Sequence, residues 1–483
     1  AIDESIAAGH GLPTLQVALH QVHFPQSRDQ AEAGRRRLAL EELYHLQREF
    51  AARRRLRLSR PIESMPLSER LVPRLLDQLD FTLTGAQQRV VSQIAADLQQ
   101  SRPMRRLLHG DVGSGKTLVA LCAALQAMDA GFQVAVMAPT EILADQHFQN
   151  WQRLLAPLGL SPALLKGGQR AVVRRELLNG LLTGGLNLIV GTHALLQEEV
   201  QFSRLGLVVV DEQHRFGVAQ REQLTAKSAS VHTLVMTATP IPRSLALSLY
   251  GDLDVSVLDE LPPGRQPVRT ALRSADRRDR IFEFVTEQVA AGRQAYVVYP
   301  TIEESKETGL LSAEAAHAEL SAGPLSECRV ELIHGRLPTD QKTTVMARFV
   351  AGEVDVLIST TVIEVGVDVA NATVMVIEHA ERFGLAQLHQ LRGRVGRGGE
   401  ASYCILVAHP LEGEGQLWRE RLDALCATND GFELARKDLE LRGPGELLGT
   451  RQAGLPELRI AHLLRDEDLL EVARTAAMPE ESA

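Results

Sequence analysis

The chain alternates short, almost entirely apolar runs with longer stretches in which apolar residues recur at helical spacing. The runs are rich in Val, Ile and Leu, which is typical of strands in a parallel sheet covered by helices on both faces. They therefore predict an α/β fold with two lobes of parallel sheet. In chain order the runs are Arg106–His109, Gln133–Met137, Asn187–Val190, Leu207–Val210, Thr233–Met236, Ala295–Tyr299, Val330–Ile333, Val354–Ile358, Val374–Ile377 and Ser402–Val407.

Breaks between these patterns predict the domain organisation. A long amphipathic helix over about residues 26–58 ends before a segment punctuated by Pro61 and Pro66. Leu261–Gly264 separates the two lobes, and Arg442–Gly445 places a non-helical loop in the polar, helical end of the chain. The expected units are a helical linker over residues 1–65, a first lobe over 66–260, a second lobe over 261–410, and a helical hairpin with a loop and tail over 411–483.

Composition narrows the class of protein. The 483 residues, 45% of them hydrophobic and 23% charged, fit a globular protein of two or three domains. No run of 18 apolar residues occurs, and the start has neither the basic nor the apolar part of an export signal. The missing initiator Met suggests a piece of a longer chain. The four cysteines form no CxxC pair, so neither zinc nor disulfides are indicated, and we expect a reduced cytoplasmic protein without membrane contact.

The net charge of −9 does not exclude a nucleic-acid partner, because such binding depends on a local positive surface. Arginines cluster at Arg35–Arg37 and Arg53–Arg55. Leu43, Leu46 and Phe50 recur at helical spacing and leave these arginines mostly on other faces. We therefore expect a solvated helix face there.

A phosphate-binding loop stands at residues 110–117, Gly-Asp-Val-Gly-Ser-Gly-Lys-Thr. In this GxxxxGK[ST] pattern, glycines let backbone N–H groups close around phosphate oxygens, and the following helix points its N-terminus at the anion. Lys116 is expected to reach the β- and γ-phosphates, and Thr117 to bind Mg²⁺. The predicted ATP contacts in the loop are Gly110, Gly113, Ser114, Gly115, Lys116 and Thr117.

An acidic tetrad, Asp211–Glu212–Gln213–His214, follows an apolar run about one hundred residues later. Acids at a strand's carboxyl end face the crevice in which such folds bind ligands. Asp211 is expected to hold Mg²⁺ through water, and Glu212 to orient or deprotonate the attacking water. Gln213 and His214 are placed to contact the γ-phosphate.

The second lobe has no phosphate loop but carries an arginine-rich turn over residues 390–397. Arginines without a local phosphate make sense if they serve a nucleotide held by the other lobe. Arg394 and Arg397 are therefore predicted to stabilise charge on the γ-phosphoryl group, so that hydrolysis depends on closure of the lobes. For Arg392 the sequence does not decide between a contact with nucleic acid and a contact with a carboxylate.

Small hydroxyl-bearing turns follow strands in both lobes and suit contacts to a duplex backbone. Pro139 and Thr140 follow one strand of the first lobe, and Thr361 belongs to such a turn in the second. Thr237 and Thr239 lie one strand after the tetrad, which favours a coupling role between ATP and DNA.

These motifs together resemble superfamily 2 helicases, and more narrowly the RecG family of bacterial branched-DNA translocases. The most discriminating stretch is residues 438–452, Asp-Leu-Glu-Leu-Arg-Gly-Pro-Gly-Glu-Leu-Leu-Gly-Thr-Arg-Gln, which is similar to a translocation motif that generic helicases lack. The resemblance implies two RecA-like lobes, adenine contact by Gln87, and a hairpin and loop in which Arg421, Arg442 and Gln452 couple closure to steps along duplex DNA.

The same resemblance implies ATP hydrolysis with Mg²⁺ on branched and duplex DNA, including fork regression and Holliday junction branch migration in repair and recombination. It also implies a monomer at the bacterial nucleoid, with single-stranded DNA-binding protein as a partner. The resemblance further implies that the family's N-terminal wedge domain lies outside this sequence.

Three alternatives differ in partner or class. A transcription-repair coupling translocase has the same kind of motor but acts on RNA polymerase; Ser114 and Gln213 favour RecG over it. A DEAD-box RNA helicase would carry a different tetrad and lack the motif at residues 438–452. A catalytically silent scaffold would not need Lys116, Glu212 and both arginines.

Overall fold

The computed structural model describes residues 2–59, 61–212, 231–237, 253–262, 266–300, 306–360, 369–409, 416–442, 458–462 and 465–477. The strands are β1 (Arg105–Gly110), β2 (Gln133–Met137), β3 (Ala163–Leu165), β4 (Leu188–Gly191), β5 (Leu205–Val210), β6 (His232–Thr237), β7 (Asp254–Leu258), β8 (Arg269–Ser274), β9 (Gln294–Val298), β10 (Val330–Ile333), β11 (Val356–Ser359), β12 (Ala372–Ile377) and β13 (Tyr403–Ala408).

The helices of the first half of the chain are α1 (Glu4–Gly9), α2 (Leu15–His23), α3 (Arg28–Leu58), α4 (Leu71–Leu76), α5 (Gly85–Leu98), α6 (Lys116–Asp129), α7 (Glu141–Leu155) and α8 (Ala171–Thr183). Those of the second half are α9 (Arg278–Ala290), α10 (Lys306–Ala322), α11 (Thr339–Val350), α12 (Leu385–Arg392), α13 (Leu417–Ala427), α14 (Gly431–Arg442) and α15 (Glu467–Ala477).

The first sheet has the strand order β3-β4-β2-β5-β6-β1-β7, and every strand pair in it is parallel. Successive residues of its strands belong to different cores. In β2, Val134 and Val136 pack with α5, α6 and α7, whereas Ala135 and Met137 pack into a second cluster on the other face. Burial on both faces explains the continuous apolar runs.

The second sheet has the order β10-β11-β9-β12-β13-β8, again with parallel pairs. Two clusters cover its faces, with Tyr296 and Val298 of β9 in one, and Ala295 and Val297 in the other. The fold class is therefore confirmed: two RecA-like lobes of parallel sheet with helices.

A helical hairpin formed by α13 and α14 packs on the second lobe. Leu422 and Leu425 of α13 and Leu434 of α14 are buried in the same cluster as Leu388 of α12. The hairpin also reaches the first lobe, because the ring of Phe432 lies edge-on to His109 with 4.8 Å between centroids. The hairpin thus contacts both lobes.

The long helix α3 packs against α15 at the other end of the chain, and their contact uses the arginines expected to be solvated. Arg35 forms an ion pair of 2.6 Å with the fully buried Asp466, and Arg36 pairs with Asp468. Arg37 is completely buried and lies 2.7 Å from Glu41. The expected solvated face is therefore wrong for Arg35 and Arg37, because carboxylates from α3 and from distant segments neutralise them, whereas Arg36 stays partly exposed.

In the part of the chain that the structure describes, none of the helices combines the length and apolar character needed to cross a membrane.

Candidate active site

The phosphate loop joins β1 to the N-terminus of α6, and its glycines are required by the backbone. Gly113 and Gly115 have φ of +77° and +86°, in the left-handed region that glycine adopts without steric cost. A Cβ on Gly110 would lie 2.5 Å from Ser114 Oγ and 2.9 Å from Leu258 Cβ. The loop therefore keeps its backbone N–H groups at the carboxyl edge of the sheet, where an anion can reach them.

Lys116 is the first residue of α6, and its Nζ donates to the carbonyls of Gly110 and Asp111 at 2.8 Å each. Burial lowers the pKa of Lys116, while the charges of Glu212, Asp211 and Asp111 raise it and that of Arg397 lowers it again. The net pKa lies below the usual lysine value. A polyphosphate would offset this unfavourable balance by bringing negative charge to the ammonium.

Asp211 follows β5 and is held by a residue that the sequence did not point to. Its Oδ2 lies 2.7 Å from Nε2 of the buried His147 on α7, and its Oδ1 accepts the Glu212 N–H at 3.0 Å. Burial raises the pKa of Asp211, but the His147 bond and the Lys116 charge outweigh it, so the pKa is lowered. The only sequence signal for His147 is its helical spacing from Trp151, whose ring it meets edge-on.

Glu212 has φ of +48° and is one of two residues other than glycine with positive φ among the described residues. The left-handed region is unfavourable for a side chain with a Cβ and is concentrated at functional sites. Here it turns the chain sharply after β5, so that Asp211 and Glu212 both contribute to the charge around Lys116.

The residues predicted to hold Mg²⁺ have suitable chemistry. Thr117 offers a hydroxyl and Asp211 an ionised carboxylate, and Mg²⁺ prefers oxygen ligands, few of them from protein and others from phosphate and water. The described residues contain no cluster of three His, Cys, Asp or Glu side chains able to hold a metal ion alone. His147 would orient the carboxylate from behind.

Gln87 lies beneath the loop. It completes a capping box with Thr84, whose N–H donates to Gln87 Oε1 at 3.0 Å. Its Nε2 donates to the carbonyl of Ser114 at 2.9 Å. Gln87 therefore ties the start of α5 to the loop, whatever contact it makes with a base.

The arginine-rich turn of the second lobe lies against this loop. His389 Nε2 is 2.6 Å from Asp111 Oδ1, and a Cβ added to Gly393 would meet Val112 Cβ at 2.9 Å. Arg397 donates through Nε to the Gly393 carbonyl at 3.1 Å and adds positive charge near Lys116. The structure therefore brings Arg397 of one lobe to the lysine of the other. Arg394 is half-buried. Burial raises the pKa of Tyr296 to about 12, and the charges of Arg394 and Arg397 partly oppose that rise.

Arg392 is buried where the second lobe meets the helical hairpin. It is 3% exposed and donates through Nη1 to the carbonyls of Leu425 and Thr428, both at 2.8 Å. Its Nη2 approaches His389 Nδ1 at 3.0 Å. These bonds hold the guanidinium of Arg392 under the end of α13. Contact of Arg392 with nucleic acid or with a carboxylate stays a prediction.

The residues predicted to couple ATP to DNA lie at several strand and helix ends. Pro139 and Thr140 follow β2, and the Thr140 hydroxyl caps α7 by accepting the Leu143 N–H at 3.3 Å. Thr237 is buried at the end of β6. Arg421 on α13 donates to the Glu381 carbonyl at 3.0 Å, and Arg442 ends α14. The residues of the predicted site outside the described residues are Gln213, His214, Thr239, Thr361 and Gln452.

Two parallel sheets with a phosphate loop and acidic pair in one, and arginines from the other beside them, define a helicase-type motor of superfamily 2. Family models agree: "DEAD/DEAH box helicase" matches residues 84–247 and "Helicase conserved C-terminal domain" residues 276–399. "ATP-dependent DNA helicase RecG, domain 3, C-terminal" matches residues 428–480, and an IstB-like ATP-binding model matches residues 10–153.

The chain belongs to the RecG family. It is 48% identical to the ATP-dependent DNA helicase RecG of Synechocystis, over 99% of this chain and 57% of the relative. It is 53% identical to the Acidithiobacillus ferridurans protein of that name, over 95% of this chain and 66% of the relative. It is 50% identical to that of Escherichia coli K12, over 96% of this chain and 69% of the relative. The chain thus spans about three fifths of the length of the first of these relatives. The transcription-repair alternative is not favoured.

Solved structures give the same result. A structure of RecG bound to a three-way DNA junction superposes with a TM-score of 0.77 at 43% identity, covering 98% of this chain and 62% of that one. The DEAD-box helicase Mss116 bound to single-stranded RNA shares the fold, with a TM-score of 0.57 at 18% identity over 88% of this chain and 94% of its own.

Proposed function

We propose that this chain is the motor of an ATP-dependent DNA translocase that acts on branched and duplex DNA. The observation that carries the proposal is the contact of the arginine-rich turn of the second lobe with the phosphate loop of the first, where His389 Nε2 lies 2.6 Å from Asp111 Oδ1. The charge of Arg397, on the same turn, acts on Lys116. Family membership supplies the substrate class, since a relative was solved on a three-way DNA junction. Fork regression and Holliday junction branch migration in repair and recombination are the corresponding reactions.

In this proposal the phosphate loop binds ATP through Gly110, Gly113, Ser114, Gly115 and Lys116, with Gln87 at the adenine and His214 at the γ-phosphate. Thr117 and Asp211 hold Mg²⁺, which neutralises phosphate charge when bound. Glu212 orients the attacking water, and Arg394 and Arg397 stabilise the charge that develops on the γ-phosphoryl group. Such arginines are worth roughly 10³–10⁵ in rate, so closure of the lobes controls turnover.

DNA is held through its backbone by Pro139, Thr140, Thr237, Thr239 and Thr361. Arg421, Arg442 and Gln452 couple lobe closure to movement in this proposal. The bond from Arg421 to the Glu381 carbonyl attaches the hairpin to the second lobe. Backbone contacts carry no sequence information, so binding is expected to be sequence-independent and steeply weakened by salt.

Several further proposals rest on the family alone. They are action as a monomer at the bacterial nucleoid and partnership with single-stranded DNA-binding protein. Division of the chain at residues 65, 260 and 410 is a further proposal, which rests on the breaks in the sequence pattern. The predicted divisions can be tested by limited proteolysis, and the monomer by light scattering at the working concentration.

The direct test measures the ATPase rate without DNA and with single-stranded, duplex and forked DNA. We expect duplex and fork to stimulate more than single strand, and Lys116→Ala, Glu212→Gln and Arg397→Ala each to lower the stimulated rate at least 100-fold. Arg280→Ala, an exposed arginine on α9 of the second lobe, is the matched control and should retain the full rate. Substantial activity of Arg397→Ala would contradict the cross-lobe mechanism.

A further inference from the structure

A continuous chain of hydrogen bonds runs from the phosphate loop to the helical hairpin. Asp111 Oδ1 lies 2.6 Å from His389 Nε2, and His389 Nδ1 lies 3.0 Å from Arg392 Nη2. Arg392 Nη1 then donates to the carbonyls of Leu425 and Thr428 at the end of α13, both at 2.8 Å. This series of hydrogen bonds crosses from the first lobe to the second and continues to the hairpin. Its first bond joins Asp111 and His389, which are 278 residues apart in the sequence.

The chemistry of the three side chains fixes the direction of each bond. A guanidinium only donates, so His389 Nδ1 must accept from Arg392 and Nε2 must carry the proton donated to Asp111. Burial raises the pKa of Asp111, but the His389 bond and the Lys116 charge outweigh it, so the pKa is lowered and the acceptor is a carboxylate. His389 and Arg392 are 4% and 3% exposed, so water cannot readily replace a lost link.

Asp111, at one end of this series of hydrogen bonds, contacts Lys116, the residue expected to bind the nucleotide phosphates. The carbonyl of Asp111 accepts from Lys116 Nζ at 2.8 Å, while its carboxylate meets His389 and the Val112 N–H. Any movement of Lys116 towards a phosphate changes the surroundings of Asp111 directly.

We propose that Asp111, His389 and Arg392 form a positioning relay that transmits the nucleotide state of the phosphate loop to the hairpin. The inference deepens the proposed function and rests on it for the link to DNA movement. The role is positioning rather than catalysis, because His389 and Arg392 contact the loop and the hairpin instead of the reacting phosphate. The competing explanation is structural: Arg392 caps the carboxyl end of α13 regardless of nucleotide.

The test follows amide hydrogen exchange in hairpin residues 416–442 of the 483-residue chain, with Mg·ADP and with Mg·ADP·aluminium fluoride, without DNA. Three variants are compared with the wild type. His389→Leu removes both of its hydrogen bonds. His389→Gln can still donate to Asp111 and accept from Arg392. Asp111→Ala breaks the relay at the loop and leaves the bonds between Arg392 and the hairpin intact. His10→Gln, on an exposed histidine outside both lobes, is the control.

We expect the two nucleotide states to differ in hairpin exchange at least threefold in the wild type, His10→Gln and His389→Gln. His389→Leu and Asp111→Ala should lose that difference while fluorescent ADP still binds. With duplex DNA, both should displace a triplex-forming strand at least 10-fold less per ATP hydrolysed than the wild type. Because Asp111 is half-buried at a loop, its variant should fold even if His389→Leu does not.

Three results would overturn the relay: no nucleotide-dependent exchange in the wild-type hairpin, an unchanged difference in Asp111→Ala, or a loss in His389→Gln equal to that in His389→Leu. The contact between Phe432 and His109 would then be the better candidate for the link. Failure of the proposed function is distinguishable, because it would abolish DNA-stimulated ATPase in the wild type without removing the hairpin's response to nucleotide alone.

Discussion

Glu212 combines a proposed catalytic role with a backbone conformation that disfavours its own side chain. Its φ of +48° lies in the left-handed region, which costs a residue with a Cβ about 1–2 kcal/mol. The fold tolerates this cost next to the lysine that the same carboxylate stabilises. The position of the Glu212 carboxylate thus lowers the free energy of unfolding.

Comparing Glu212→Gly with Glu212→Ala isolates the strain, because both variants remove the carboxylate. Glycine adopts positive φ freely, while its greater freedom in the unfolded chain offsets about 0.5–1 kcal/mol of the gain. We expect Glu212→Gly to be more stable than Glu212→Ala by about 0.5–1 kcal/mol in urea unfolding, with both inactive as ATPases. Equal or reversed stabilities would mean that the left-handed conformation is not imposed at this position.

Among the elements, those with a strong local pattern were predicted from sequence and those without one were missed. The run Gln133–Met137 coincides with β2, because all five residues are buried and the four that follow Gln133 are apolar. β8 is not predicted from the sequence, because its residues Arg-Thr-Ala-Leu-Arg-Ser form no apolar run. They are half-buried or exposed at the edge of the sheet. The short β3 and the polar-interrupted β7 were missed for similar reasons.

The site divides in the same way. Its phosphate loop and acidic pair are contiguous motifs, so their residues could be predicted by spacing. His147 and the contacts of His389 and Arg392 could not, because each depends on a partner on another element, 64 residues away for His147 and 278 for His389.

The attachment of the C-terminal segment to α3 is another contact that no local pattern predicts. Glu42 accepts three consecutive backbone N–H groups, from Arg459, Ile460 and Ala461, at 2.7, 3.0 and 2.8 Å. Leu469 and Leu470 of α15 then pack in a cluster with Leu40 and Leu43 of α3. One carboxylate thus fixes the chain just before α15.

Glu42→Ala should release this segment, because three donors lose their charged acceptor, at a cost of about 2 kcal/mol. We expect limited proteolysis within residues 458–477 to accelerate about 10-fold or more. Glu42→Gln keeps an acceptor oxygen and should show a smaller effect, and Glu49→Ala, an exposed ion-pair residue on the same helix, should show none. Unchanged cleavage in Glu42→Ala would show that the packing of α15 alone holds the segment.

For the whole molecule, the decisive surface is the one where the arginine-rich turn meets the phosphate loop. Gly393 lies at the tightest point described there, because a Cβ on it would approach the Cβ and Cγ1 of Val112 to 2.9 Å each. Its φ of −66° is ordinary for any residue, so a larger side chain would not strain the backbone. It would instead clash across the contact between the lobes. The lobes can relieve the contact by separating.

Gly393→Ala should therefore impair turnover more than folding. Overpacking of this kind costs about 1–3 kcal/mol, and a penalty applied to closure lowers the rate about tenfold for each 1.4 kcal/mol. We expect DNA-stimulated kcat to fall at least 10-fold, with thermal unfolding shifted by less than about 2 °C. Val112→Ala in the same chain removes both Cγ atoms and should restore part of the rate. Gly399→Ala is the matched control, because its Cβ would meet nothing within 4 Å. A wild-type rate in Gly393→Ala would mean that the lobes do not meet in this arrangement during turnover, and Arg397 would then have to reach Lys116 by another geometry.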